Sequence, residues 1–412
     1  MGFNIQRHKE LTQVETRQDT ALGIMRWGTD NSFPQTLKNL IEQSPSSKPA
    51  VKRTAKFYKG SGFEGENEVV SPYGLTLKQV VAIMADDYAT FEAFALQCNF
   101  NIDGEVTSIN PMRITDLRFN QFDELNFASK IGYHENFGRN SEVTKTVVNT
   151  VTRNKIKWID RFNPAVVKKQ ILRVTKDKEK DLKIKDRSKN EMAKLLSGIS
   201  DFNGQILYHS EAGHSSYPLP PLQAPVNFVL ADVENSVLVR KETSTGFIDT
   251  WLLKTAMDSE DPTLEALEDA IDSSQGARGS GSVITMSGLS PEELQATVLE
   301  NLGSGPNGRK GTIESATIAY DLAQKVINGV YLIPPILAGS DQKTGFASAD
   351  LKEAYFVFNT VTQGGRDIIE SELNRILEKS VFQTRDIKIK KLKLDTQESS
   401  DDSTTEAKKK QS

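Results

Sequence analysis

The sequence predicts an α+β fold, and three observations carry that reading. Apolar residues recur at helical spacing through the first quarter of the chain. After Cys98 the period shortens toward two around the turn dipeptide Asp103-Gly104. Helical spacing then returns downstream of Pro225 in several long segments. A chain of 412 residues exceeds one ordinary domain and can bury a sizeable core.

The first twenty-four residues are polar and read as an arm. In "WGTDNSFPQTLKNLIEQ", Ser32 can cap a helix, Pro34 suits its first turn, and Leu37, Leu40 and Ile41 share one face. "SPSSKPAVKRTAKFYKGSGF" gives a second helix, with Ala50, Ala55 and Tyr58 roughly in phase and Gly60 placed to end it. A third helix is expected through "TLKQVVAIMADDYATFEAFALQ", apolar at Val80, Val81, Met84, Tyr88, Phe91 and Leu96. "CNFNIDGEVTSINPMRITDLRF" then reads as a hairpin, and "FASKIGYHENF" and "EVTKTVVNTVTRNKIKWI" continue the β pattern.

Residues 163–203 carry many charges of both signs and read as a solvated, partly helical excursion. Their lysines alternate with Asp and Glu, which weakens any field that could hold phosphate. A strand, a proline-punctuated loop and a long helix follow, with Val226, Val229, Val233 and Val237 on a narrow stripe. Next come a capped acidic helix in "DPTLEALEDAIDSS", a Gly/Ser loop, a short strand Val283–Met286, a helix-like piece and the loop "NLGSGPNGRKGT". "IESATIAYDLAQKVINGVYLIPP" is a helix halted at Pro334-Pro335, and a Gly339-Ser340-Asp341 turn supplies the restart. "FASADLKEAYFVFNTVTQGGRDIIESELNRILEK" resumes helical spacing, and "DIKIKKLKL" is a basic β-like run. Residues 395–412 are low-complexity and expected to be disordered.

Composition excludes some functions. A net charge of −4 argues against a protein that grips nucleic acid by neutralising phosphates, though not against one that lets DNA pass. The single cysteine, Cys98, forms no internal disulfide, and a reducing compartment fits best. The N-terminus has no apolar core of a signal peptide, and no run of eighteen apolar residues predicts a membrane span.

Candidate chemistry is sparse. From Gly303 the loop "GSGPNGRKGT" places Gly308 as a phosphate-binding P-loop would, but Arg309 stands for the lysine and Lys310 for the hydroxyl residue that would hold magnesium. A mobile loop with a basic tip, Arg309-Lys310, is the better reading. His209 and His214 are five apart in a Ser/Gly loop, which is no metal motif, and His8 and His134 stand alone. Asp86-Asp87 point different ways on a helix and read as polar-face residues. Cys98 reads as core, and Trp27, Trp158 and Trp251 as packing anchors. No catalytic residue, metal ligand or cofactor site is expected, and an enzyme is disfavoured.

In this order the pieces resemble the portal proteins of tailed bacteriophages, whose subunits ring the DNA channel at one capsid vertex. "TIAYDLAQKVINGVYLIPPILAGS" is similar to that family's helix leading to a Pro-Pro turn. "ASADLKEAYFVFNTVTQGGRDIIESELNRILEK" is similar to the long helix pair that follows, closing on Glu-x-x-Leu-Asn-x-x-Leu. "SSQGARGSGSVITMSGL", "YPLPPLQAPVNFVLADVENSVLVRKETSTGF" and "YATFEAFALQCNFNIDGEVTSINPMRITDLRF" resemble its Gly-rich approach to the channel segment, its Pro-flanked long helix and its N-terminal helix-to-hairpin unit.

The resemblance implies a portal-type subunit with helical wing and crown, long stem helices and a small α/β clip. Its implied layout is an arm (1–24), a wing with hairpin (25–124), a clip holding the charged excursion (125–215), a stem helix (216–257), the rest of the wing with a channel loop (258–345), a crown (346–394) and a tail (395–412). It implies a closed ring, usually of twelve subunits, with double-stranded DNA in the lumen. Implied partners are the terminase large subunit, the major capsid protein or scaffold, and a head-tail adaptor, with no membrane. Such a ring nucleates the procapsid, passes DNA during packaging and ejection, and is a virion component assembled in the host bacterial cytoplasm. Arg309 and Lys310 would face the DNA, while Pro334, Pro335 and Gly339 would shape a structural turn. The alternative is another virion structural protein, an adaptor or minor capsid protein, and a more distant one is a nucleotide-dependent packaging enzyme.

Overall fold

The structure, a computed structural model, describes residues 16–29, 31–123, 127–137, 151, 153–181, 191–211, 217–244, 251–254, 283–286, 299–301, 309–339 and 348–394. The chain divides into two compact units, one comprising residues 1–38, 50–223 and 330–412, the other 39–49 and 224–329.

An antiparallel hairpin opens the first unit, β1 (Thr16–Asp19) and β2 (Ile24–Trp27). The Asp19 carboxylate ties its turn, accepting Leu22 N at 3.0 Å and the Arg26 fork at 2.7 and 2.9 Å. Residues 16–19 and 24, expected as part of a polar arm, are β-paired around the turn at 20–23; four-residue strands leave too little periodicity to detect.

Helix α1 (Phe33–Gln43) starts directly after Ser32 and buries Leu37, Leu40 and Ile41, as their spacing predicts. Helix α2 (Ser47–Lys59) ends at Gly60, whose φ of +60° only glycine adopts readily, and where a Cβ would stand 2.0 Å from the Lys390 carbonyl oxygen. Helix α3 (Leu77–Phe91) starts in a capping box between Thr76 and Gln79 and buries Val80, Val81, Met84, Tyr88 and Phe91. It ends earlier than the sequence suggests. Glu92 turns left-handed at φ 52°, and Leu96 falls in strand β3 (Ala93–Phe100). That strand is buried on both faces at most positions, so "AFALQCNF" lacks the alternation that separates strand from helix.

Strand β3 turns through Gly104 into β4 (Val106–Met112), the predicted hairpin. The sheet is completed by β5 (Leu117–Phe119), β6 (Lys130–Tyr133), β7 (Lys157–Arg161) and, after helices α4 (Val167–Asp181) and α5 (Glu191–Ile199), β8 (Gln205–Ser210). Its order is β4-β3-β8-β7-β6-β5, with β7 and β8 parallel and the other pairs antiparallel. The expected boundary at residue 124 therefore does not divide the sheet, which takes strands from both sides of it.

Helices α4 and α5 form the crossover that a parallel β7–β8 pair needs. The charged excursion is thus only half solvated. Val167, Ile171, Thr175 and Leu195 are buried, while Lys168, Lys169, Arg173 and Lys176 stay exposed.

In the second unit, helix α6 (Val226–Ser244) buries Val226 and Val229 and leaves Val237 and Val239 exposed. Its fully buried Asp232 accepts Ser44 Oγ at 2.5 Å, Ser46 N at 3.0 Å and Ser46 Oγ at 3.1 Å. Three short strands, β9 (Trp251–Lys254), β10 (Val283–Met286) and β11 (Leu299–Asn301), pair in the order β10-β9-β11. Strand β10 falls where the sequence predicts it; β11 takes the end of the helix-like piece. The expected acidic helix lies outside the described residues.

Helix α7 (Arg309–Val330), a single turn α8 (Pro335–Ala338), and helices α9 (Ser348–Val361) and α10 (Gln363–Leu377) follow. The β-like run "DIKIKKLKL" joins no sheet. Ile387 N donates to Asn374 Oδ1 at 2.8 Å and Ile389 N to Glu370 Oε1 at 2.6 Å, while Lys390 pairs by its backbone, donating to Gly62 O and accepting from Ser61 N, each at 3.0 Å. Ile387 and Ile389 are buried between exposed lysines, which is the alternation a strand shows.

Candidate functional site: the proline corner

Helix α7 stops at Val330, and the next three residues turn the chain. Tyr331 is buried and donates its hydroxyl to the Ala89 carbonyl at 3.0 Å, anchoring the turn to the end of α3. Leu332 is left-handed at φ 52° with its side chain 64% exposed, and Ile333 is buried again. Pro334 is extended at φ −55°, ψ 138°, and Pro335 takes the first position of α8, where a missing N–H matters least. Leu337 N and Ala338 N donate to the Pro334 carbonyl at 2.9 and 3.0 Å. Gly339, at φ 75°, closes the turn with its N–H on Pro335 O.

The left-handed residue at the break is Leu332, and Pro334, Pro335 and Gly339 stand in the turn that follows it. Gly339 ends a turn; Ser340 and Asp341, expected to restart the helix, lie outside the described residues.

Near Tyr331 stand the buried Tyr88, the half-buried Tyr58 and Glu92, and the exposed Glu211. Tyr58 meets Tyr88 edge-on at 5.3 Å, and Tyr88 donates to Glu211 at 2.5 Å. Burial, then Glu92 and Glu211, pushes the Tyr58 phenol up to about 12, with Arg366 opposing. Burial and Glu211 also raise the Glu92 carboxyl. These tyrosines are protonated donors at neutral pH and lock the corner rather than react. Cys98 is fully buried, and burial raises its thiol. Asp87 departs from the polar-face reading: burial pushes its carboxyl up to about 7, with Lys38 opposing and Asp86 adding.

Arg309 and Lys310 are the first two residues of α7, not the tip of a loop as expected. The preceding residues 302–308 lie outside the described residues.

Sequence reasoning missed Arg366, which is 2% exposed and donates to the Phe57 carbonyl at 3.0 Å, to Thr362 Oγ1 at 2.9 Å and to the Asn359 carbonyl. It holds α2, α9 and α10 together. A signal existed just before it: glycines inside a helix are costly and call for a packing reason. A Cβ on Gly365 would stand 2.3 Å from the Tyr58 ring, so this glycine lets α10 approach α2.

Among the described residues no group of three or more His, Cys, Asp or Glu could hold a metal ion, and no helix is long and apolar enough to cross a membrane. No family model and no curated relative matches the sequence. Solved structures do match. A chain from the neck of an empty gene transfer agent (GTA) particle, computed with C6 symmetry, is similar at TM-score 0.51 and 11% identity, over 89% of this chain and 85% of that one. A chain from the virion of a native GTA particle gives 0.50 and 12%, over 87% and 83%. An HK97 family phage portal protein from Corynebacterium diphtheriae gives 0.39 and 9%, over 82% and 88%. The two GTA chains carry the likeness, which at such identities is one of fold: a mixed α+β chain similar to them over most of its length.

Proposed function

We propose that this chain is a portal subunit, one copy of a closed ring that surrounds the DNA channel at one vertex of a phage or phage-like capsid. The observation that carries the reading is the likeness of fold, over 89% of the chain, to a chain in the neck of a GTA particle computed with C6 symmetry. The collinear motifs described above, read independently of that likeness, support it. The mechanism is mechanical, with no reaction assigned to the chain. The ring nucleates the procapsid, docks the terminase large subunit through residues 125–215, passes double-stranded DNA in packaging and ejection, and joins head to tail through an adaptor. A mildly acidic chain suits a lumen past which phosphates must slide, since tight counterion-releasing contacts would stall transport.

Two finer assignments belong to this reading. Arg309 and Lys310 open α7 next to a Gly-rich stretch and contact the DNA. The double variant Arg309→Ala, Lys310→Ala should lower packaged DNA several-fold; unchanged packaging and retention would remove the assignment. The exposed face of α4, with Lys168, Lys169, Arg173 and Lys176, docks the packaging motor. Changing all four to Gln leaves buried Val167, Ile171 and Thr175 intact and should weaken terminase binding about tenfold. Equal binding in a pull-down titration would remove that assignment. The function as a whole is tested by complementation: without this chain no DNA-filled particles should form, and they should return when the chain is supplied.

A further inference from the structure

One groove in the first unit carries chemistry that the portal reading does not use. It encloses about 410 Å³ where β7, β8 and α10 meet, and its lining includes Arg161, Arg375, Tyr208, His209, Glu372 and Phe162. The Arg161 guanidinium lies over the Phe119 ring, 5.8 Å from its centroid, and Arg375 lies over Phe162 at 5.4 Å. Aromatic beds of this kind hold the guanidinium plane while leaving its N–H edge open.

Arg375 has a carboxylate, Glu372 Oε2 at 3.3 Å, and the other oxygen of Glu372 faces His209 Nδ1 at 3.3 Å. Glu372 is thereby engaged on both sides. Among the described residues Arg161 has no ion pair and no side-chain hydrogen bond. Tyr208 is 8% exposed, and its hydroxyl has no hydrogen-bond partner among the described residues. His209 Nε2 is likewise buried without one, the nearest Glu211 oxygen standing at 3.9 Å. Two guanidiniums thus line one groove with a single, already engaged, carboxylate, and the unmet Tyr208 hydroxyl lies buried in its wall. Buried donors left unmet are costly, and paired cations repel.

We propose that this groove binds a tetrahedral oxyanion of the phosphate class. A carboxylate would meet one planar fork. Donors arriving from three elements, a strand edge, its neighbour and a helix, suit oxygens that point in several directions, and a multiply charged anion offsets two guanidiniums at once. The site stands independently of the portal reading. Its phosphate can come from a free anion or nucleotide, or from a DNA backbone.

The test is calorimetric titration of the full chain with inorganic phosphate at fixed ionic strength. Wild type should bind saturably. Arg161→Gln should weaken binding at least tenfold and Tyr208→Phe several-fold, with circular dichroism and melting unchanged. Should Arg161→Gln fail to fold, Arg375→Gln, whose side chain is 55% exposed, replaces it. No binding by wild type, equal binding by the folded Arg variant, or acetate binding as tightly as phosphate would each overturn the proposal. A short DNA duplex that displaces phosphate identifies a backbone as the source, and one that does not identifies the free anion; both uphold the site.

Discussion

Arg118 is fully buried and its guanidinium is met almost wholly by the chain itself: the carbonyls of Thr115 at 2.9 Å, Leu117 at 2.6 Å and Asn31 at 2.7 Å, and the Asn31 side-chain oxygen. Asn31 must adopt φ 63° to present both oxygens, and its side chain also accepts Trp27 N at 3.1 Å. Lysine has three N–H donors on one atom against the four bonds that Arg118 makes from three spread nitrogens, so Arg118→Lys should lose about 2–3 kcal/mol in chemical denaturation. A loss below about 0.5 kcal/mol would contradict this carbonyl cage. Asp87 gives a pH-dependent counterpart. Burial raises its carboxyl to about 7 from an ordinary value of 3.8, so the folded state keeps a proton that the unfolded state releases. Its contribution to stability therefore falls as pH rises from about 4 to 7. Asp87→Asn should be on the order of 1–2 kcal/mol more stable than wild type at pH 8 and equal to it near pH 4, read by urea melts at both. Neither residue was legible in the sequence. "LRF" looks like any strand with a solvated cation, and an Asp on a helix looks like polar face until its surroundings are known.

At the scale of elements, the proline corner is the clearest case of partial legibility. The end of α7 at Val330 and the halt near Pro334-Pro335 follow from the sequence. The left-handed Leu332 does not, because leucine gives no hint of positive φ. Gly339 has no atom within 4 Å of where a Cβ would stand, so Gly339→Ala should lose about 1–2 kcal/mol through backbone strain alone. Leu332→Gly relieves strain at a position 64% exposed and should be neutral or up to about 1 kcal/mol stabilising. The opposite order of the two variants in thermal melts would overturn the assignment of strain. Residues 93–97 of β3 read as helix in the sequence because burial on both faces erases the pattern. The α4–α5 crossover was half legible. Its charges announced a surface, but nothing in "NPAVVKKQILRVT" told that one side would cover a parallel strand pair.

For the whole molecule, fold class was legible and division was not. Alternating helix and strand periods gave α+β, yet the six-stranded sheet draws strands from residues 93–210 across the expected boundary at 124. Strand partners far apart in sequence leave no local trace. Ile318 (68%) and Leu322 (51%), one turn apart on α7, and Phe356 (69%) on α9 are exposed apolar side chains. In the ring proposed above they would meet neighbouring subunits. Ile318→Asp with Leu322→Asp should leave the monomer folded and abolish assembly, read by sedimentation velocity.

The most direct measurement is negative-stain electron microscopy of the purified protein with native mass measurement on the same sample. A portal subunit should give closed rings with a central hole wide enough for duplex DNA, near twelve times the 45.7 kDa chain mass. A discrete small oligomer without a channel would contradict that function and put an adaptor or minor capsid role in its place.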